Sequence, residues 1–432
     1  MIKITSLLLF VCFFNVHADE EFDFGETETS SPKEEKKDYS YNGNISFKAG
    51  RQIGQVKRWM DLGPSLKIKG GLQKPWGNLK VDLDSEFNFS FKAENDDQDL
   101  SQSYSPKTTL RELYWQKSFG KHTFKIGKKI VVWGKADALV VTDVLTPKDL
   151  SLLFFTDIEK ARIGQLLFEW DLFLEKTEIN LYAIPFPLYD KSTHLEHPYS
   201  PLKGLGASIK NQEEYSKNKQ NPEVALRINR QWEWGSTALL MASLHNRDLL
   251  LETSGSDSFE KHERYFFTGL TTNVAFKSFL LKTELAYEQK RPLQAKTTVF
   301  GIDIPYIEKK DFLSAMIGVD YNHSQWGNWL IEYSFTGPLE KEDNLYQKDF
   351  QQLVVLNWSK NFLNEDLTLS SGLTFYDHLK NTLLSLGARY IINDNWEANL
   401  NLSLIDFAKP LSALGSNFDQ WDRADLTIKY NF

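Results

Sequence analysis

From Tyr39 onward, large apolar and polar side chains alternate with period two, in runs of about ten residues. Leu79, Val81, Leu83, Phe87, Phe89 and Phe91 share one parity. So do Leu281, Leu285 and Tyr287; Leu313, Ala315, Ile317, Val319 and Tyr321; Trp329, Ile331, Tyr333 and Phe335; and Leu384, Leu386, Ala388, Tyr390 and Ile392. A strand sends successive side chains to opposite faces, so each run has one apolar and one polar face. About ten residues is the length of a tilted strand that crosses a bilayer. Open sheets cannot sit in lipid, because every unpaired edge amide would cost several kcal/mol, so these strands must close into a barrel.

The links between runs set the topology. Short ones fall at Gly120-Lys121, Glu233-Trp234-Gly235, Phe276-Lys277-Ser278, Ser324 to Gly327 and Asn393-Asp394-Asn395. Long polar ones run from Glu94 to Thr109, Gly134 to Gly164, Leu188 to Pro222, Asn246 to Arg264, Lys290 to Asp311, Gly337 to Asp349 and Phe407 to Trp421. Alternating short and long links predict an antiparallel up-and-down transmembrane β-barrel with short periplasmic turns and long external loops. Counting from Tyr39 with both ends periplasmic gives about 18 strands, with 16 as the alternative, and barrels near this size leave an aqueous lumen.

Composition narrows the class. Charged residues make up 25% of the chain and aromatics 14%, and no stretch after Ala18 is apolar enough for a membrane helix. Residues 1–18 read as a signal peptide, with Lys3, an apolar run from Ile4 to Phe14, and small residues at Val16-His17-Ala18. Cys12 lies in that run, so the mature chain is expected to hold no cysteine, which excludes a disulfide scaffold and a thiolate metal site. Residues 19–38 are acidic and poor in large apolar residues, the composition of a disordered periplasmic leader, and 39–432 form the barrel. The charge balance of 50 basic against 58 acidic residues argues against nucleic-acid binding. The alternation of Leu426, Ile428, Tyr430 and Phe432 with polar neighbours resembles the C-terminal assembly signal of outer-membrane barrels. Barrel-assembly machinery, outer-membrane lipid and lipopolysaccharide are therefore expected partners, along with a small solute and a homo-oligomeric state.

One link is not generic. The segment after Thr123 to Trp133, the third external loop, carries the apolar runs Leu139-Val140-Val141 and Leu152-Leu153-Phe154-Phe155 among closely spaced charges. A solvated loop has no use for them, so the loop is expected to fold inward and narrow the pore. Gly127-Lys128-Lys129, Trp133-Gly134-x-Ala136-Asp137, Thr146-Pro147-x-Asp149-Leu150 and Asp157-Ile158-Glu159-x-x-Arg162-Ile163 follow one another over about 40 residues. This order resembles a family of porin-like outer-membrane barrels known as a domain of unknown function. Lys128-Lys129 stand where members carry Arg-Gln, Lys135 where they often carry Glu, and Thr146 where they carry Asn. The resemblance implies a barrel with a folded-in loop that passes hydrophobic or aromatic compounds or lipids.

Lys125, Lys129, Lys135, Asp137, Asp143, Asp149, Asp157 and Arg162 are the candidate constriction residues, able to orient a polar solute or to pin the loop by ion pairs. Lys128 has the lipid-facing parity, where a lysine costs about 2 to 4 kcal/mol at mid-membrane, so a bulge at Gly127 or a place near an interface is expected. Lys80, Asp82, Asp84, Lys282, Glu284, Glu332 and Arg389 should face the lumen, and their mixed signs suit water. No metal, cofactor or catalytic residue is expected. Asn322-His323-Ser324 falls in a periplasmic turn, His194 and His197 in a polar loop, and His122, His245, His262 and His378 stand alone. A small-solute channel is the reading favoured over a surface-binding or adhesin barrel without a conducting pore, and over an enzyme.

Overall fold

A computed structural model describes residues 38–53, 59–87, 107–150, 158–191, 209–210, 221–248, 250–254, 257–300, 302–347, 349–376, 381–407 and 422–432. Residues 1–37 of the signal and leader segments, Phe89, Phe91, Leu152 to Asp157, His194, His197 and His378 lie outside them.

The strands in chain order are β1 (Tyr39–Gln52), β2 (Trp59–Lys74), β3 (Gly77–Glu86), β4 (Lys107–Phe119), β5 (His122–Lys129), β6 (Gln165–Phe173) and β7 (Thr177–Ile184). There follow β8 (Ile209–Lys210), β9 (Glu223–Trp232), β10 (Gly235–His245), β11 (Leu250–Ser254), β12 (Asp257–Lys261), β13 (Arg264–Phe276) and β14 (Phe279–Val299). The last are β15 (Ile302–His323), β16 (Gly327–Pro338), β17 (Gln351–Phe362), β18 (Leu367–Tyr376), β19 (Asn381–Ile391), β20 (Trp396–Phe407) and β21 (Arg423–Asn431). A single short helix, α1 (Ile158–Ala161), interrupts the described residues between β5 and β6.

Eighteen of these strands form one antiparallel sheet, closed where β1 pairs with β21 from Asn44↔Asn431 to Gln52↔Arg423. The closed barrel and its strand number agree with the periodicity. Apolar parity faces outward: Ile126, Phe168, Leu181, Leu270, Ile317, Ile331 and Leu400 are all exposed on the outer wall, as lipid contact requires. Leu426, Ile428 and Phe432 join that outer face, and Phe432 exchanges two 3.0 Å backbone hydrogen bonds with Gly43 at the seam.

Three local expectations are corrected. The segment Lys290 to Asp311 is not a polar link, because β14 and β15 run on as a two-stranded ribbon from Arg291↔Lys310 to Val299↔Ile302. Alternating Leu293, Ala295 and Tyr306 give it an apolar face, which packs with Phe312 and with Leu345 of the next loop. Register across Gly127 is continuous with both neighbours, so no bulge turns Lys128 inward; it sits one residue from the external end of β5. The register shift falls instead in the β3–β4 pair, where Asp82 opposes Glu112 and Leu83 opposes Leu110, leaving Arg111 as the extra residue. Finally, β5 ends at Lys129 rather than Trp133.

Candidate functional site

Beyond Lys129 the chain leaves the wall and enters the lumen. Ile130 N–H donates to Glu112 Oε1 at 2.8 Å. The Thr146 hydroxyl accepts from Val131 N–H at 2.9 Å and donates to the Val131 carbonyl at 2.7 Å, so the base of the loop keeps both backbone groups satisfied without a ladder partner. Val131, Trp133 and Leu145, with Val141 and Val144, pack against lumen-facing Tyr182, Leu240, Leu244 and Phe267 of β7, β10 and β13. This buries the apolar face of the loop against one side of the barrel, which accounts for the apolar residues in a nominally external loop.

Two wall carboxylates hold the tip. Glu284 of β14 accepts from the N–H groups of Lys135, Ala136, Val141 and Thr142 and from the Thr142 hydroxyl, the last three at 2.8 to 2.9 Å. Glu332 of β16 accepts from Asp137, Ala138 and Leu139 N–H at 2.7 to 2.9 Å. Both carboxylates are buried, a position tolerated because each is surrounded by donors. Lys282, the lumen-facing neighbour of Glu284 on β14, pairs with Asp137 and, at 2.5 Å, with Asp320 of β15.

The return half of the loop is braced near the external rim. Arg162 Nε donates to Asp143 Oδ2 at 2.9 Å, and Lys148 Nζ donates to the Asp143 carbonyl at 3.2 Å. The bulged Arg111 reaches the Glu159 and Lys160 carbonyls at the end of α1. Lys148 and Arg162 bridge antiparallel, while Asp149 and Lys191 bridge parallel and tie this loop to the next. Lys148 N–H also donates to Asp190 Oδ1 at 2.7 Å. Burial pushes the Asp190 carboxyl up to about 7, outweighing the opposing pull of Lys148. Beside it, Arg247 Nη2 donates to Glu223 Oε2 at 2.5 Å and to the Leu145 carbonyl at 3.2 Å, and His245 Nδ1 lies 3.1 Å from Glu223 Oε1.

The candidate charges are therefore mostly engaged. Lys125 lies 3.0 Å from Glu169 and 2.8 Å from Asp171 of β6, and Lys129 lies 2.6 Å from Glu169. Asp143 and Arg162 pair with each other, Asp137 pairs with Lys282, and Lys135 and Asp149 act through backbone hydrogen bonds. Asp157 lies outside the described residues. Parity puts Glu284 and Glu332 in the lumen but says nothing of their role, and Glu112, Arg111, Glu169, Asp171 and Glu223 stand in no motif that singles them out. The parity of Glu169 and Asp171 between Phe168, Trp170 and Leu172 was the available signal.

The histidines are corrected in the same way. His245 has its glutamate, His262 stacks on Tyr189 with ring centroids 3.4 Å apart, and His122 accepts from Trp170 Nε1 at 3.1 Å. His323 ends β15 opposite Gly327 and accepts from Gln325 and Trp326 N–H, capping the turn that follows rather than lying in it. Among the described residues no group of three His, Cys, Asp or Glu side chains is placed to hold a metal ion.

No family model matches this sequence, and no curated protein matches it. Solved structures do. The chain is similar to OccK8 (OprE) of Pseudomonas aeruginosa at 10% identity, with a TM-score of 0.53 over 91% of this chain and 98% of that one. It is similar to OpdQ of the same organism at 10% identity, TM-score 0.53, over 92% and 99%. It is also similar to the outer membrane protein opdK of Pseudomonas aeruginosa at 8% identity, TM-score 0.52, over 91% and 99%. At these identities the likeness is one of fold, and these neighbours are bacterial outer-membrane barrels.

Proposed function

We propose that the chain is a porin-like channel of the bacterial outer membrane, passing small hydrophilic solutes through the part of the lumen that its third external loop leaves open. The observation that carries this reading is the one-sided docking of residues 130–150. Apolar packing on β7, β10 and β13 and the two carboxylates on β14 and β16 draw the loop to one side. On the other side, lumen-facing Ser370, Ser385, Asn401 and Ser403 keep accessible surface. A closed surface-binding barrel would have no use for a hydrated far wall. Hydrophobic or aromatic cargo is less well supported, since the mid-height positions of that wall are Ser, Gly and Asn, the apolar Val355, Leu383 and Ile405 lying nearer its external end. Recognition of the Leu426 to Phe432 strand by assembly machinery, lipopolysaccharide contact and a homo-oligomeric state belong to the same proposal.

The test is ion conductance of the refolded barrel in planar bilayers, beside a variant lacking residues 137–162. A stable conductance that rises in the deletion supports a channel narrowed by this loop. No conductance in either protein refutes it.

A further inference from the structure

The wall opposite the loop has a chemistry of its own. Across β18, β19 and β20 the mid-height lumen positions are Ser370, Gly372, Ser385, Gly387, Asn401 and Ser403, with Asn357 on the adjoining β17. Cross-strand pairing sets Ser370 opposite Gly387, Gly372 opposite Ser385, Gly387 opposite Asn401 and Ser385 opposite Ser403. None carries a charge. The glycines are part of the surface: a Cβ at Gly372 would lie 2.6 Å from Ser385 Oγ and 2.8 Å from Asn357 Oδ1, and one at Gly387 would lie 2.4 Å from Ser370 Oγ and 3.1 Å from Asn401 Oδ1. The hydroxyl and amide oxygens lean over these gaps, which lowers the wall and spreads donors and acceptors over a shallow recess.

The cations that border this recess are held by carboxylates. Arg389 lies 2.8 Å and Lys429 3.0 Å from Glu397, and Arg423 pairs with Asp61 and Asp425. Lys48 completes that second cluster, 3.1 Å from Asp61. Across the lumen Asp143 pairs with Arg162 and Asp137 with Lys282, as Lys125 and Lys129 do with Glu169. A solute crossing at this recess meets hydroxyl and amide groups able to replace its hydration, and no charged side chain among the recess positions.

Resting on the channel reading, we infer that the recess on β17 to β20 selects for uncharged, polyhydroxylated solutes such as sugars and sugar alcohols. Each solute hydroxyl exchanges a water for a wall hydroxyl or amide at little net cost. A charged solute of the same size must shed part of its hydration there without finding a counter-charge on the recess itself, so it crosses more slowly.

The experiment uses three six-carbon polyols of nearly equal size: sorbitol, gluconate and glucamine. Proteoliposomes holding the full barrel are assayed for the uptake of each by swelling or tracer, with KCl conductance measured on the same preparation. Sorbitol entry faster than both charged analogues by about fivefold or more, the factor one hydrogen bond provides, is the expected result. The variant Ser370→Val with Ser385→Val is expected to lose most of that preference. Gluconate or glucamine entering as fast as sorbitol, with normal conductance, overturns the substrate class and leaves the channel reading standing. Absence of both conductance and uptake overturns the channel reading and this inference with it. The comparison on the unaltered barrel decides the matter even if the double variant fails to fold.

Discussion

Removing the Glu284 carboxylate is expected to loosen the loop that narrows the lumen. Five donors converge on it, four backbone N–H groups and the Thr142 hydroxyl. A hydrogen bond to a charged acceptor contributes about 1.5 to 3 kcal/mol net, and a buried donor left unpaired costs about 1 to 3 kcal/mol. The five are not additive, and lumen water reaches some of the freed N–H groups, so the anchoring lost in Glu284→Ala is about 3 to 6 kcal/mol. At the lower end this raises the undocked fraction of the loop about a hundredfold. Glu332 with its three donors and the apolar contacts remain, so the single variant should flicker between the wild-type conductance and a larger one. The double variant Glu284→Ala with Glu332→Ala should rest in the larger state. The assay is single-channel recording at fixed salt, with tryptic cleavage after Lys135 and Lys148 as an independent measure of undocking. A folded double variant with wild-type conductance and wild-type protease resistance would refute the clamp.

Three further outcomes follow from the same geometry. Arg162→Ala leaves Asp143, whose side chain is 0% exposed, without its partner, and should destabilise the loop by about 3 to 5 kcal/mol; adding Asp143→Asn should restore part of the loss, read from urea titrations in detergent. Folded Asp190 keeps its proton up to about 7, whereas unfolded it loses it near 3.8, so its contribution is full at acid pH and disappears as the pH rises through 7. Asp190→Asn should therefore flatten part of the rise in melting temperature between pH 8 and pH 5, and an identical pH profile in both proteins would contradict the burial argument. A Cβ on Gly164 would lie 2.0 Å from the Arg111 carbonyl, so Gly164→Ala should displace the loop's return and cost about 1 to 3 kcal/mol in the same urea titrations.

The barrel was legible because two-residue alternation is a property of each strand alone, and because lipid outside and water inside read that alternation with opposite preferences. Leu313 to Tyr321 and Leu384 to Ile392 needed no tertiary information. The ribbon at Arg291 to Lys310 was missed because its apolar face is narrow and is covered by Leu345, a partner from another loop. The inward course of residues 130–150 was legible from apolar residues misplaced for a solvated loop. The clamp was not: Glu284 and Ala136 are 148 positions apart, and nothing local distinguishes a glutamate that solvates a lumen from one that receives a loop. Lys125 and Asp143 read as constriction charges, although each is consumed by a partner, Lys125 by Glu169 of the neighbouring strand and Asp143 by Arg162 on the return of its own loop.

The seam between β1 and β21 fixes how this molecule comes into being. Most pairings join strands adjacent in the chain and can form as hairpins, but Asn44 and Asn431 meet only when the whole cylinder is present. Until then both terminal strands expose ladder groups that hydrocarbon cannot satisfy. A nearly complete sheet is therefore no halfway house: it carries the full entropic cost of order and two raw edges, and its last registration converts both liabilities into stability at once. Insertion and closure become a single cooperative event, so a lesion in either terminal strand should deplete the assembled population rather than produce a slightly weaker barrel.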